Sequence, residues 1–307
     1  MEVIPEAILS SPTFYPDRKK CGTSQQLICL IEPFMGNHRD MNGLFVVRVY
    51  DPVKGTWDTL PPIDDPQMTG IWCECVAVNR KLVVMGGKLL PNGILTKSVY
   101  IYDFESARWR RGADMPTPRS LFACSVSSSN GLVYVAGGIS ERVMERGAEA
   151  YNVEEDKWEI LPPMIEPPGG GCRGAFVEGK FMVLQEGLNA QVFDPSEGTW
   201  RMTNLRRSCV ISSSLGELYS FTPRQVEKYD AEKDVWSVVA SLPNTHDIDQ
   251  IICVTQWRDQ IFISGSCDPL CSKPQFSYLF NMSTRQFIEV NGDGGEGMIV
   301  SAATVEI

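Results

Sequence analysis

The residues best suited to hold a metal ion are ten cysteines and two histidines, His38 and His246. A structural zinc site gathers four Cys or His side chains, often from closely spaced pairs such as Cys-x-x-Cys. Cys73 and Cys75 are two positions apart without a second pair of that kind, and the two histidines lie far apart in the sequence. The spacing therefore does not favour a zinc site, and we predict neither a metal nor a cofactor.

A second candidate for chemistry is the glycine-rich stretch PPGGGCRG at 167–174. A phosphate-binding loop of this kind would continue into Lys-Ser or Lys-Thr and open a helix. Neither feature follows here. A glycine-rich connection between strands is the simpler interpretation, and we predict no catalytic residue.

The secondary structure around the cysteines and the glycine-rich stretch can be predicted from a repeated motif. Each copy has an aromatic residue, then Asp or Asn, and a second aromatic seven positions after the first. The spacing between the tryptophans that end successive copies of the motif is 52, 49, 42 and 36 residues, which is typical of stacked or radial repeats. The copies are Tyr50–Trp57, Tyr102–Trp109, Tyr151–Trp158, Phe193–Trp200, Tyr229–Trp236 and Phe280–Phe287.

Each repeat contains four short β-prone runs separated by turn residues. In the second repeat the runs are CVAV (75–78), KLVVMGG (81–87), SVYIYDF (98–104) and WRRGADMP (109–116). This pattern predicts a four-stranded antiparallel sheet. The Asp or Asn starts the turn into the fourth strand, and the two aromatics pack between neighbouring sheets.

Composition narrows the possible functions. The chain has 307 residues and a net charge of −10, which disfavours nucleic acids and anionic membranes as partners. The N-terminus lacks the pattern of a secretory signal. Five cysteines recur at one place in successive repeats, which predicts buried, unpaired thiols and a reducing compartment, the cytoplasm and/or the nucleus. They are Cys75, Cys124, Cys172, Cys209 and Cys253.

An apolar run ending in Gly-Gly, followed by Tyr-Asp and a Trp at fixed distance, resembles the kelch motif. The resemblance implies an all-β fold, a six-bladed β-propeller with four antiparallel strands per blade. Blade one lacks an inner strand of its own. We expect MIVSAATVEI (298–307) to supply it and remove two open sheet edges, the alternative being a free tail after a glycine-rich linker.

The stretches 18–33 and 102–126 also resemble the kelch half of plant F-box/kelch-repeat proteins. That family implies a non-catalytic substrate receptor, in which an F-box binds a Skp1-type adaptor and the propeller recruits a client for SCF-type ubiquitination and degradation. Implied clients are metabolic enzymes, such as those of phenylpropanoid biosynthesis, or signalling regulators. Residues 1–17 are then an N-terminal segment too short for an F-box, and 18–307 the propeller. The alternative is a metal-dependent kelch enzyme or specifier-type protein.

The predicted client surface is the face that carries the connections between the second and third strands and between successive blades. Arg and Trp are the residues most often found as interface anchors. Each arginine alone could equally be a solvated or ion-paired surface residue. The predicted contacts are Trp72, Arg119, Arg142, Arg146, Arg173, Arg206 and Arg207.

Overall fold

The protein is a closed ring of six four-stranded antiparallel sheets, the blades of a β-propeller. The computed structural model describes residues 24–33, 45–63, 70–89, 93–141, 143–168, 171–185, 187–205, 211–214, 217–230, 233, 235–243, 250–266, 276–290 and 299–307. No helix occurs among these residues, so none of them forms an apolar helix long enough to cross a membrane. The predicted fold class is confirmed.

The strands follow the four-run pattern of the repeats. Blades one to three, with the short hairpins of their loops, comprise β1 (Gln26–Pro33), β2 (Phe45–Asp51), β3 (Thr56–Thr59), β4 (Gly70–Ile71), β5 (Glu74–Val78), β6 (Lys81–Met85), β7 (Lys88–Leu89), β8 (Val99–Asp103), β9 (Arg108–Gly112), β10 (Ala123–Val126), β11 (Val133–Ala136), β12 (Ile139–Ser140), β13 (Val143–Met144), β14 (Ala148–Asn152) and β15 (Lys157–Leu161).

Blades four to six and the closing strand comprise β16 (Arg173–Val177), β17 (Lys180–Leu184), β18 (Gln191–Asp194), β19 (Thr199–Met202), β20 (Ile211–Ser214), β21 (Glu217–Phe221), β22 (Gln225–Asp230), β23 (Val235–Ser241), β24 (Gln250–Trp257), β25 (Gln260–Ser266), β26 (Phe276–Asn281), β27 (Phe287–Glu289) and β28 (Ser301–Glu306).

The two ends of the chain close the ring in blade one. Strand β28 pairs antiparallel with β1, with Leu27 opposite Val305 and Cys29 opposite Ala303. The order β28-β1-β2-β3 makes β28 the inner strand, next to the inner strands of blades two and six. The predicted closure is confirmed, and it removes the open edges that an unclosed blade would expose.

The repeated motif acts as predicted at the turn between the third and fourth strands. The Asp103 carboxylate accepts hydrogen bonds from the backbone amides of Glu105 and Ser106, at 2.8 and 3.2 Å. Asn152 does the same for Glu154 and Glu155. These bonds fix the turn, and the following strand then carries the second aromatic back beside the first.

The aromatic pairs join neighbouring blades. In all six motifs the two ring centroids lie 4.6–5.2 Å apart. The Trp109 indole donates to the carbonyl of Pro61 in the preceding blade at 2.7 Å, and Trp158 and Trp200 donate in the same way to Ala113 and Pro162. In blades two to four the pair therefore packs between two sheets, and its Trp bonds the blade before it.

Candidate functional site: the loop face

One face of the propeller carries the connections between second and third strands and between successive blades. We call it the loop face, and the opposite side, which carries the short motif turns, the turn face. Hydrogen bonds tie neighbouring connections together: Gly87 donates to the Arg119 carbonyl at 2.9 Å, and Met164 donates to the Arg146 carbonyl at 2.9 Å. The loop face is thus one bonded layer in blades two to four.

The double glycines are required for this layer. Gly86 and Gly138 both have positive φ, 61° and 86°. A Cβ at Gly86 would lie 2.6 Å from the Arg119 carbonyl oxygen, and one at Gly138 the same distance from that of Ser120. Glycine therefore allows both the backbone conformation and the close approach of the next connection.

Arg119 lies inside this layer and not on its surface. Its side chain has no exposed area. One guanidinium nitrogen donates to the carbonyls of Gly137 and Gly147, both at 3.0 Å, and the other bonds the buried Glu149 carboxylate at 2.6 Å. The prediction that Arg119 contacts a client is therefore corrected, because a side chain without exposed surface cannot touch a partner.

The role of Arg119 is to hold a hairpin in place. Gly137 and Gly147 are the first and last residues of the connection that contains β12 and β13. By bonding both carbonyls, the guanidinium clamps the two ends of this connection together. The hairpin tip, Val143 and Met144, then extends from the loop face with 64% and 44% of each side chain exposed.

The hairpin tip is part of a larger set of exposed apolar side chains on the same face. Each of blades two, three and four contributes at least one from its second-to-third connection, and the connection from blade three to four adds another. We call this set the apolar patch, and it consists of Ile94, Val143, Met144, Ile165 and Leu188. Apolar side chains that are exposed on one face provide a surface that a protein partner can cover.

Arg173 lies at the loop-face mouth of the central channel. It begins the inner strand β16 and forms an ion pair across the channel with Glu74, at 3.1 Å. The second carboxylate oxygen of Glu74 accepts from the Ser301 hydroxyl at 2.9 Å. The Arg173 side chain keeps 26% of its area exposed. It can therefore meet a partner, although Glu74 competes for it.

Burial dominates the electrostatics of this channel. It raises the pKa of the Glu74 carboxyl in spite of the neighbouring Arg173. Burial also raises the pKa of Cys253, to about 12, so this thiol stays protonated and unreactive at neutral pH. A cavity of about 90 Å³ remains between these side chains, with room for solvent and not for an organic ligand.

Trp72 and Arg146 remain accessible candidates. The half-buried Trp72 ring lies under the Lys88 ammonium group, 5.4 Å from the ring centroid. Arg146 is exposed, and its Nε donates to the Met164 carbonyl at 2.8 Å, beside the apolar patch. These two and Arg173 do not form one basic cluster. The other predicted contacts lie outside the described residues: Arg142, Arg206 and Arg207.

The cysteines agree with the sequence analysis where the structure describes them. Four of the five repeat-tracking cysteines are described, and all four are free. Cys75, Cys172 and Cys253 are buried and Cys124 is half-buried, while Cys209 lies outside the described residues. They occupy crowded positions at or beside the inner strands, where a small apolar side chain is required.

The blade geometry and the motif match together define the class of protein. The kelch motif model matches residues 73–116 and 121–165, which are blades two and three. The chain is a six-bladed β-propeller that contains kelch motifs in blades two and three.

Similarity to individual proteins extends beyond the two matched blades. F-box/kelch-repeat protein At1g80440 of Arabidopsis thaliana is 27% identical over 94% of this chain and 87% of its own length. F-box/kelch-repeat protein At1g15670 is 28% identical over 97% and 90%. F-box/kelch-repeat protein At2g44130 is 29% identical over 66% of this chain and 58% of its own length. The chain is thus similar to plant F-box/kelch-repeat proteins along nearly its whole length.

Proposed function

We propose that this propeller recruits a client protein through the loop face of blades two to four. The observation that carries the proposal is the apolar patch, which three successive blades hold on one bonded layer. An exposed apolar surface costs free energy in water, and contact with a partner removes that cost. Arg146, which bonds the Met164 carbonyl beside Ile165, offers a polar contact next to the patch, as interface rims commonly do. Trp72 and Arg173 are further accessible side chains on the same face.

The relatives support a place for this recruitment in ubiquitin transfer. Their names associate the same propeller with an F-box. We propose that the client, a metabolic enzyme such as one of phenylpropanoid biosynthesis or a signalling regulator, is brought to an SCF-type ligase for degradation. The propeller itself then performs no chemistry. Free thiols support a reducing location, the cytoplasm and/or the nucleus.

Affinity capture from extracts of the source organism tests the proposal. The tagged chain is compared with a double variant of the hairpin tip, Val143→Asp with Met144→Asp, and with the control Val53→Asp. Val53 is 62% exposed in the turn between β2 and β3, so the control makes the same kind of change on the turn face. Proteins captured by the wild type and the control, but not by the tip variant, are the expected clients.

The ligase role needs a separate measurement. The half-life of each captured protein is followed after silencing of the gene for this chain, with and without a proteasome inhibitor. A client of a ubiquitin ligase becomes longer-lived on silencing, and the inhibitor abolishes the difference. Equal half-lives in silenced and unsilenced cells would remove the degradation role and leave only binding.

A further inference from the structure

Blade five departs from the other blades at its motif aromatic. The first aromatic of the motif is buried in five blades, at Tyr50, Tyr102, Tyr151, Phe193 and Phe280. In blade five, Tyr229 is only half-buried. It borders a cavity of about 540 Å³ between blades four and five. The interface that the motif fills elsewhere is open here, and we call this opening the blade-five cleft.

A β-bulge contributes to this opening. The pairing of β22 with β23 shifts between Val226 and Glu227, which pair with Ala240 and Val238. Val239 is therefore the extra residue, and it lines the cleft. A bulge bends the strand and redirects the side chain of the extra residue, and bulges are frequent beside binding sites.

The walls of the cleft are apolar. Val177 and Met182 of blade four face Leu218, Tyr229 and Val239 of blade five. A volume of this size lies within the range of 300–1,000 Å³ that is usual for sites of small organic ligands. The apolar part of the lining favours a ligand with an apolar body, and the half-buried Tyr229 ring beside it favours an aromatic one.

The charged residues of the cleft are mostly acidic. Glu178, Glu217 and Asp230 line it together with a single cation, Lys228. Lys228 is already ion-paired with Glu217. The hydrogen bond from Lys228 and a second from the Tyr219 hydroxyl lower the pKa of Glu217, so this carboxylate is ionised at neutral pH. Asp230 is in turn paired with Lys233, at 2.7 Å, outside the described lining. Three carboxylates thus meet two ammonium groups, and the remaining negative charge complements a cationic group.

The charged rim of the cleft lies on the opposite face from the apolar patch, although Leu205 of its lining belongs to the connection from blade four to five. Glu178 belongs to the turn between β16 and β17, and Asp230 ends β22. Both positions are on the turn face. We propose that the blade-five cleft is a binding site for a small aromatic molecule that bears a positive charge. This site is independent of client recruitment, which the loop face performs.

A matched pair of probes tests both the site and its charge preference. Tryptamine and indole-3-propionate have the same ring and a side chain of similar length, with opposite charges. Saturation-transfer NMR titrations with the whole chain should show binding of tryptamine. Indole-3-propionate should bind at least about fivefold more weakly than tryptamine, because its carboxylate replaces an attraction at the rim of the cleft by a repulsion.

Variants then locate the binding. Val239→Phe fills the cleft and should abolish tryptamine binding, while Val238→Phe, at the adjacent exposed position, should leave it unchanged. Ser237→Trp, at the rim of the cleft, is a second blocking variant in case Val239→Phe does not fold. Failure of tryptamine to bind the wild type would overturn the proposal. So would binding that survives in a folded blocking variant, or equal affinity for the two probes.

Discussion

Replacing Arg119 by Met should destabilise the whole propeller, although the substitution lies in a connection between blades. The Arg119 side chain has no exposed area, and it bonds the Glu149 carboxylate and the two glycine carbonyls at the base of the blade-three hairpin. Methionine preserves most of the volume and removes the charge. Glu149 would then be a buried carboxylate without its cationic partner.

The expected loss follows from that buried charge. Removing one member of a buried ion pair costs roughly 3–5 kcal/mol. With an unfolding entropy of about 2.1 cal/mol/K per residue, this chain of 307 residues should melt about 5–8 °C lower. The matched control is Arg201→Met, because Arg201 pairs with Glu197 at 2.7 Å and 68% of its side chain is exposed. An exposed pair of this kind contributes about 0–1 kcal/mol.

Urea denaturation followed by tryptophan fluorescence, with a thermal scan, measures both variants. The double variant Arg119→Met with Glu149→Met should be more stable than Arg119→Met alone, because it also removes the unpaired carboxylate. If Arg119→Met has the same melting temperature as Arg201→Met, or if the double variant is no more stable than Arg119→Met, the buried ion pair does not stabilise the fold as argued.

Three further predictions concern the ring closure and the thiols. Removal of residues 299–307 should cause aggregation during gel filtration, because it exposes the inner edge of β1; a soluble monomer with unchanged melting would contradict closure. Native thiol titration should leave Cys29, Cys73 and Cys253 unreactive until urea is added, because burial raises the pKa of each to about 12; fast native reaction at these sites would refute their burial. The free energy of unfolding should fall as the pH rises above about 9, since the unfolded thiols ionise first, and Cys73→Ala should reduce that slope; an unchanged slope would contradict it.

The fold could be predicted in detail from the sequence because the turns and strand ends of each repeat are determined by residues close together in the chain. The Asp-started turn and the Gly-Gly end of the second strand depend on single residue types, so they can be read without tertiary information. The closing strand was also predictable, since its alternating pattern matched the inner strand that blade one lacked.

The site was predicted less completely, for a physical reason. The repeat indicates which loops share a face, but not whether a long side chain points outward or inward. Arg119 points inward because Glu149 and two backbone carbonyls lie within its reach. The apolar patch was not predicted from the sequence. A signal was present in the short loop ISERVMERG, because apolar residues such as Val143 and Met144 have little room to be buried in a tight connection.

Hydrogen–deuterium exchange of the propeller with and without a captured client tests the client surface most directly. Binding at the loop face should slow exchange in residues 137–147, 163–166 and 187–190, which carry most of the apolar patch. Exchange in the turn-face segments 52–56 and 153–157 should not change. Protection confined to those turn-face segments, with unchanged exchange in the three loop-face segments, would contradict the assignment of the client surface.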